Sequence, residues 1–85
     1  MAKFSYSARK KALDNILLAI KELTDSNLYT TAWNILLYIK RKFKSQIALS
    51  TGRIRLFLKE LEKKGKVKSF CAYLNKKYTT LWVIP

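Results

Sequence analysis

The spacing of the apolar residues changes at Gly65, and this change constrains the fold more than any other feature. Four apolar residues precede it at intervals of three and four: Ile54, Phe57, Leu58 and Leu61. This spacing is that of one face of an α-helix. After Gly65 the period becomes two, which is the period of a β-strand. Glycine suits the position just past a helix, where the backbone needs positive φ. The sequence therefore predicts a helix that leads directly into a strand.

A second strand follows the first after a short polar break. Successive side chains of residues 67–74 would point to opposite faces of a strand. Residues 78–84 are rich in β-branched and aromatic side chains, which favour strands. Asn75, Lys76 and Lys77 lie between the two runs. Two such runs around a break that contains Asn are typical of a β-hairpin. We therefore expect a C-terminal hairpin with these three residues at its tip.

Two further helices are predicted before residue 50. Apolar residues with helical spacing indicate one helix from about Ser7 to Leu23, with Ser7 as its N-cap. A second helix begins near Thr30 or Thr31, either of which can cap it, and continues to Phe43. We interpret residues 45–49 as the turn before the third helix. The predicted fold class is α+β, with three helices followed by a C-terminal β-hairpin in a single domain of residues 1–85.

The composition excludes most kinds of catalytic site. The chain has no His and one Cys, so neither a Ser-His-Asp nor a Cys-His arrangement is possible. A zinc site of the usual Cys/His type cannot be built within one chain either. Five Asp and Glu residues are few for a two-metal site. We therefore expect no enzyme activity, no catalytic residue, no metal and no cofactor.

The single cysteine and the apolar runs bear on the expected location of the chain. Cys71 has no intrachain disulfide partner, so the chain needs no oxidising compartment. The N-terminal residues lack a signal-peptide apolar stretch. The longest apolar run, Ile16–Ile20, is far shorter than the ~20 residues that cross a bilayer. We expect a cytoplasmic protein that makes no membrane contact.

Charge points to an anionic partner. Against 18 Lys and Arg there are 5 Asp and Glu, for a net charge of +13, while 49% of the residues are hydrophobic. Such a chain can fold around a core and still carry a strongly basic surface, which favours binding to nucleic acid. Arg53 and Arg55 stand at the start of the third helix, where cations oppose the helix dipole. A nearby polyanion would explain them, although a solvated basic face is the plain alternative.

The stretch from Ser50 to Val67 resembles the recognition helix and first wing strand of winged helix-turn-helix proteins. It has a capped start and a basic pair, followed by five residues in the register of the familiar pattern: Leu58, Leu61, Glu62, Gly65 and Val67. The resemblance implies a small transcriptional regulator that binds double-stranded DNA. The third helix would enter the major groove, and the hairpin, or wing, would follow the backbone or an adjacent minor groove.

Eight residues are candidate DNA contacts on this hypothesis: Thr51, Arg53, Arg55, Lys59, Lys63, Asn75, Lys76 and Lys77. Arg53 and Arg55 are assigned to base readout, because Arg pairs bidentately with guanine. Lysines of the helix and of the hairpin tip are assigned to phosphates. For the tip, turn chemistry and solubility form the structural alternative.

The remaining aromatic residues and Cys71 are interpreted mainly as core. Five aromatic side chains with helical or strand spacing are expected to be buried: Trp33, Tyr38, Phe57, Phe70 and Trp82. Stacking on unpaired bases is the alternative for them. Tyr73 and Tyr78, beside the hairpin tip, are better candidates for nucleic-acid contact. Cys71 is expected to be a small buried hydrophobe.

Two other functions remain open at this point. An RNA- or ribosome-binding winged helix fits the composition nearly as well, because basicity does not separate DNA from RNA. A protein-interaction module that docks on a polymerase or another acidic partner is suggested by the second helix, whose first half is apolar nearly all round. The expected oligomeric state is a monomer or a weak homodimer.

Overall fold

Three helices precede a two-stranded antiparallel sheet in the computed structural model, which describes residues 6–43 and 50–85. The elements are α1 (Tyr6–Asp25), α2 (Ala32–Phe43), α3 (Thr51–Lys63), β1 (Lys68–Leu74) and β2 (Lys77–Val83). The predicted α+β fold of three helices and a C-terminal hairpin is confirmed. The turn predicted over residues 45–49 lies outside the described residues.

Polar side chains cap the starts of two helices. The Ser50 hydroxyl accepts a hydrogen bond from the backbone N–H of Arg53 at 3.2 Å, and Thr31 Oγ1 accepts one from the N–H of Asn34 at 3.1 Å. Thr31 is one of the two residues predicted to cap α2, and Ser50 begins the stretch that was predicted to have a capped start. The predicted cap of α1 is wrong, because the helix begins at Tyr6 and includes Ser7. An N-cap residue needs a non-helical backbone, which a residue inside the helix does not have.

One apolar core joins the three helices to the hairpin. Its members on α1 are Ala12, Ile16, Ala19, Ile20 and Leu23. Those on α2 are Ala32, Ile35, Leu36 and Ile39, and those on α3 are Ile54, Phe57, Leu58 and Leu61. Val67 and Trp82 complete the cluster from the hairpin side. Since full burial of one large aliphatic side chain contributes roughly 1.5–3 kcal/mol, this cluster is the main source of stability.

The hairpin closes through a two-residue turn. Leu74 pairs with Lys77, which leaves Asn75 and Lys76 as the loop, with φ of 51° and 66°. Positive φ at both loop residues identifies a type I′ turn, whose twist matches that of the strands. Lys77, predicted at the tip, is the first residue of β2 instead.

Two polar contacts fix the hairpin against the helices. The backbone N–H of Trp82 donates to both the carbonyl oxygen and Oγ1 of Thr30, at 3.1 and 3.2 Å, in the connection between α1 and α2. The Ser69 hydroxyl donates to Glu62 Oε2 at 2.6 Å, near the end of α3. These contacts hold β2 beside the start of α2 and β1 beside the end of α3.

Three side chains predicted in the core are exposed. Trp33 is off the buried stripe of α2, which runs through Ala32, Ile35 and Leu36. Phe70 and Cys71 are on β1, whereas the helices contact the hairpin mainly through β2. Most of β1 is therefore left uncovered. Phe57 and Trp82 are buried as predicted, and Tyr38 is half-buried against the core.

None of the helices in the described ranges is both long enough and apolar enough to cross a bilayer.

Candidate nucleic-acid interface

A groove of about 770 Å³ lies between α3, the start of α2 and the hairpin. Five of the eight predicted site residues line it: Thr51, Arg55, Lys59, Asn75 and Lys77. The other sides are formed by residues 31–33 and by residues of β2, including Tyr78 and Trp82. The fold thus brings together helix and hairpin residues that are separated by more than a dozen positions in the chain. We call this feature the α3–hairpin groove.

The helical repeat explains how α3 lines this groove. Thr51, Arg55 and Lys59 are spaced by four residues, so they follow one another along a single side of the helix. Arg53 is on a different side, as its position two residues from Arg55 requires. The buried stripe of α3 faces the core, which directs the Thr51–Lys59 side toward the hairpin.

The groove is positively charged. Arg55, Lys59 and Lys77 are exposed, and the described residues that line the groove include no Asp or Glu. The described ion pairs lie elsewhere: Glu60 pairs with Arg9 and, at 3.8 Å, with Lys64, and Glu22 pairs with Lys42 at 3.7 Å. The carboxylates therefore neutralise cations away from the groove, which leaves its three cations to act on a ligand.

Three predicted site residues stand outside the groove. Arg53 is half-exposed, and its backbone N–H is bonded to Ser50. Lys63 is exposed at the last residue of α3, and Lys76 is exposed at the tip of the hairpin turn. These three residues do not line the groove.

Exposed aromatic rings line the groove together with its cations. Trp33 is 59% exposed and Tyr78 is 77% exposed, and both line it. The ring of Tyr73 packs against that of Tyr78, with centroids 5.0 Å apart and planes at 58°. The sequence pointed to Tyr73 and Tyr78 but assigned Trp33 to the core. Its place one residue after Ala32, off the 32–35–36–39 stripe, was the signal that could have shown its exposure.

The outer face of α3 is open to solvent. Gly52, Leu56 and Lys63 are exposed along it, with Leu56 at 64%. Leu56 therefore projects away from the core. This face adjoins the groove, because Arg55 and Leu56 are consecutive.

A second cavity, of about 360 Å³, lies between α1 and α3. Arg9, Lys10 and Lys64 line it together with Asp14 and Glu60, and Arg9 is paired with Glu60. Its mixed charge suits a polyanion less well than the α3–hairpin groove does.

Near the end of α2, hydrogen bonding with Tyr38 raises the pKa of Lys42, and Glu22 adds to the effect. Lys42 is therefore held as a cation by its own surroundings.

The described residues contain no group of three or more His, Cys, Asp or Glu side chains arranged to hold a metal ion. Comparisons of the chain with family models, with curated proteins and with solved structures found no match.

Proposed function

We propose that this chain binds double-stranded DNA through α3 and the hairpin and acts as a regulator of transcription. The observation that carries the proposal is the α3–hairpin groove. It joins three exposed cations from two separate elements on a surface whose described lining has no carboxylate. A DNA backbone presents a dense row of negative charges to which such a surface is complementary.

Helix α3 has dimensions suited to the major groove. Its 13 residues span about 20 Å, and its outer face carries no bulky side chain at Gly52. A B-DNA major groove about 12 Å wide admits an α-helix. The hairpin then lies beside α3, within reach of the sugar–phosphate backbone.

The arginines and lysines have different roles in this proposal. Arg55, with Arg53 on the other flank, reads bases, since a guanidinium donates two parallel hydrogen bonds to guanine. Contacts to phosphates are assigned to four lysines: Lys59, Lys63, Lys76 and Lys77. These contacts position the protein without reading sequence. Thr51 and Asn75 offer neutral hydrogen-bonding groups at the two ends of this surface.

Selection of bound duplexes from a random DNA pool, followed by gel shifts, tests the proposal. We expect the selection to enrich a common sequence. Arg55→Ala should weaken binding to that sequence by about tenfold while changing binding to unrelated duplexes little, since one bidentate base contact is worth ~1–3 kcal/mol of discrimination. Lys63→Ala should weaken all duplexes alike.

Lys21→Ala is the matched control, because Lys21 is an exposed helical lysine that does not line the groove. Equal losses for Arg55→Ala on every sequence would remove its role in base readout. If no duplex is retained at any salt concentration, the proposal fails.

The two alternative functions, protein docking and RNA binding, have less support than duplex binding. The protein-docking hypothesis rested on the apolar first half of α2, where Ala32, Ile35 and Leu36 are buried in the core. RNA binding stays a rival, which competition between duplex DNA and structured RNA would decide. The proposal includes a cytoplasmic monomer or weak homodimer, without catalytic activity, metal or cofactor.

A further inference from the structure

We propose that the α3–hairpin groove holds an unpaired nucleotide, whose base stacks on Trp33 or Tyr78 and whose phosphates meet Lys59 and Lys77. The preferred ligand is then a boundary between duplex and single strand, such as a duplex with a short single-stranded extension. This inference rests on the proposed function for the duplex part of the complex and adds the recognition of unpaired bases.

The aromatic rings carry the first part of the inference. Trp33 and Tyr78 line the same groove and are exposed by 59% and 77%. Large apolar side chains gathered in one concavity of a small domain mark a binding surface. Tyr73 packs against Tyr78 at 5.0 Å and supports that ring from the side.

Charge selects the class of ligand. Each nucleotide offers one flat π-face and one anionic phosphate, and the groove offers aromatic rings together with three cations. Proteins that bind single strands use this combination, in which aromatic side chains stack on bases and a basic groove follows the backbone. An uncharged apolar ligand would leave the three cations without a role.

Base geometry explains why the nucleotide must be unpaired. Within a duplex, both faces of every base except those of the terminal pairs are covered by neighbours in the stack. A base at a single-stranded segment, or one turned out of the helix, exposes a face to a protein ring. The volume of about 770 Å³ falls within the roughly 300–1,000 Å³ of pockets that enclose small ligands, so it has room for a base with its sugar.

The position of the groove connects the two parts of the ligand. Arg55 lines the groove, and the next residue, Leu56, projects from the outer face of α3. A duplex bound on that face would therefore lie beside the groove. A strand leaving the duplex can enter between α3 and β2.

Fluorescence anisotropy with labelled DNA tests the inference on the full chain. The probes are a blunt duplex, the same duplex with a four-nucleotide extension, and single strands of DNA and RNA with the extended sequence. We expect the extension to tighten binding by about tenfold relative to the blunt duplex. Tight binding of one single strand over the other identifies DNA or RNA as the source of the unpaired nucleotide and supports the inference.

Variants assign the effect to the rings. Trp33→Ala and Tyr78→Ala should each reduce the ratio of extended to blunt affinity toward one, and Trp33→Phe should retain most of it. Tyr29→Ala is the matched control, since Tyr29 is 57% exposed and does not line the groove. All three positions are exposed, so the variants should fold, which thermal melting checks.

The outcomes separate this inference from the proposed function. Equal affinity for blunt and extended duplexes overturns the inference and leaves duplex binding standing. A preference that persists in both Trp33→Ala and Tyr78→Ala also overturns it. Absence of binding to every nucleic acid, with capture of an acidic peptide instead, overturns both.

Discussion

Gly65 and Gly52 are both near the ends of α3, yet the backbone needs glycine at only one of them. Gly65 has a φ of 74°, in the left-handed region, and nothing lies within 4 Å of the place where a Cβ would be. Glycine is thus needed at position 65 for its backbone conformation and not for lack of space. At Gly52, in the first turn, a Cβ would meet only Ser50 Oγ, at an ordinary 3.8 Å.

Alanine at these two positions should have opposite effects on stability. Gly65→Ala should lower the free energy of unfolding by about 1–2 kcal/mol, the cost of left-handed backbone for an L-residue. Gly52→Ala should raise it by about 0.5 kcal/mol, because alanine loses less conformational freedom in a helix. Urea denaturation measures both. A Gly65→Ala protein as stable as the unaltered chain would contradict the role of this turn between α3 and the hairpin.

At the scale of elements, the hairpin has Lys76 at a turn position where glycine is favoured. Lys76 has a φ of 66° in the type I′ turn, a position that glycine occupies most readily. The side chain is exposed at the tip and contributes nothing to the core. A residue that costs stability in the turn is consistent with the phosphate contact predicted for it, because strain of this kind is found at functional sites.

Lys76→Gly should therefore separate stability from binding. We expect the free energy of unfolding to rise by about 1 kcal/mol, because the left-handed strain is removed. Affinity for every duplex should fall, and the slope of log affinity against log salt should become shallower by about 1, as one phosphate contact is lost.

Lys68→Gly is the charge control for this prediction, since Lys68 is an exposed strand lysine that does not line the groove. It should lower stability and leave the salt slope unchanged. If Lys76→Gly binds duplexes as tightly as the unaltered protein, the lysine at the tip does not contact phosphate.

Over the whole molecule, the described contacts of the carboxylates lie outside the α3–hairpin groove. The net charge is +13, and three of the carboxylates are held in described contacts on α1 and α3: Glu22, Glu60 and Glu62. The α3–hairpin groove has cations without such partners among the described residues. The electrostatic field of the protein should therefore direct a polyanion toward the side formed by α3 and the hairpin.

This charge distribution predicts the salt dependence of duplex binding. If about six phosphates are neutralised, log affinity should fall against log salt with a slope of about −5. Gel shifts or anisotropy between roughly 50 and 200 mM salt measure the slope. A slope near zero would mean that charge does not drive association with duplexes, which would favour the protein-interaction alternative instead.

The order of elements was determined by local sequence. Helical spacing in α3, the change of period at Gly65 and the polar break at Asn75 each depend on backbone geometry over a few residues. For this reason the three helices, the hairpin and the buried stripe of α3 could be predicted. The eight candidate site residues followed from charge and resemblance, and five of them meet in one groove.

Only the tertiary structure decided which faces are covered. Trp33, Phe70 and Cys71 have the chemistry of core residues, but the elements that would have to cover them pack elsewhere. Burial depends on partners distant in the chain, and local periodicity carries no information about them. The groove that joins Trp33 to Tyr78 arises in the same way, from the docking of β2 on Thr30, a contact across 52 residues. The sequence therefore determined the helices and strands, and their packing determined what they present to a ligand.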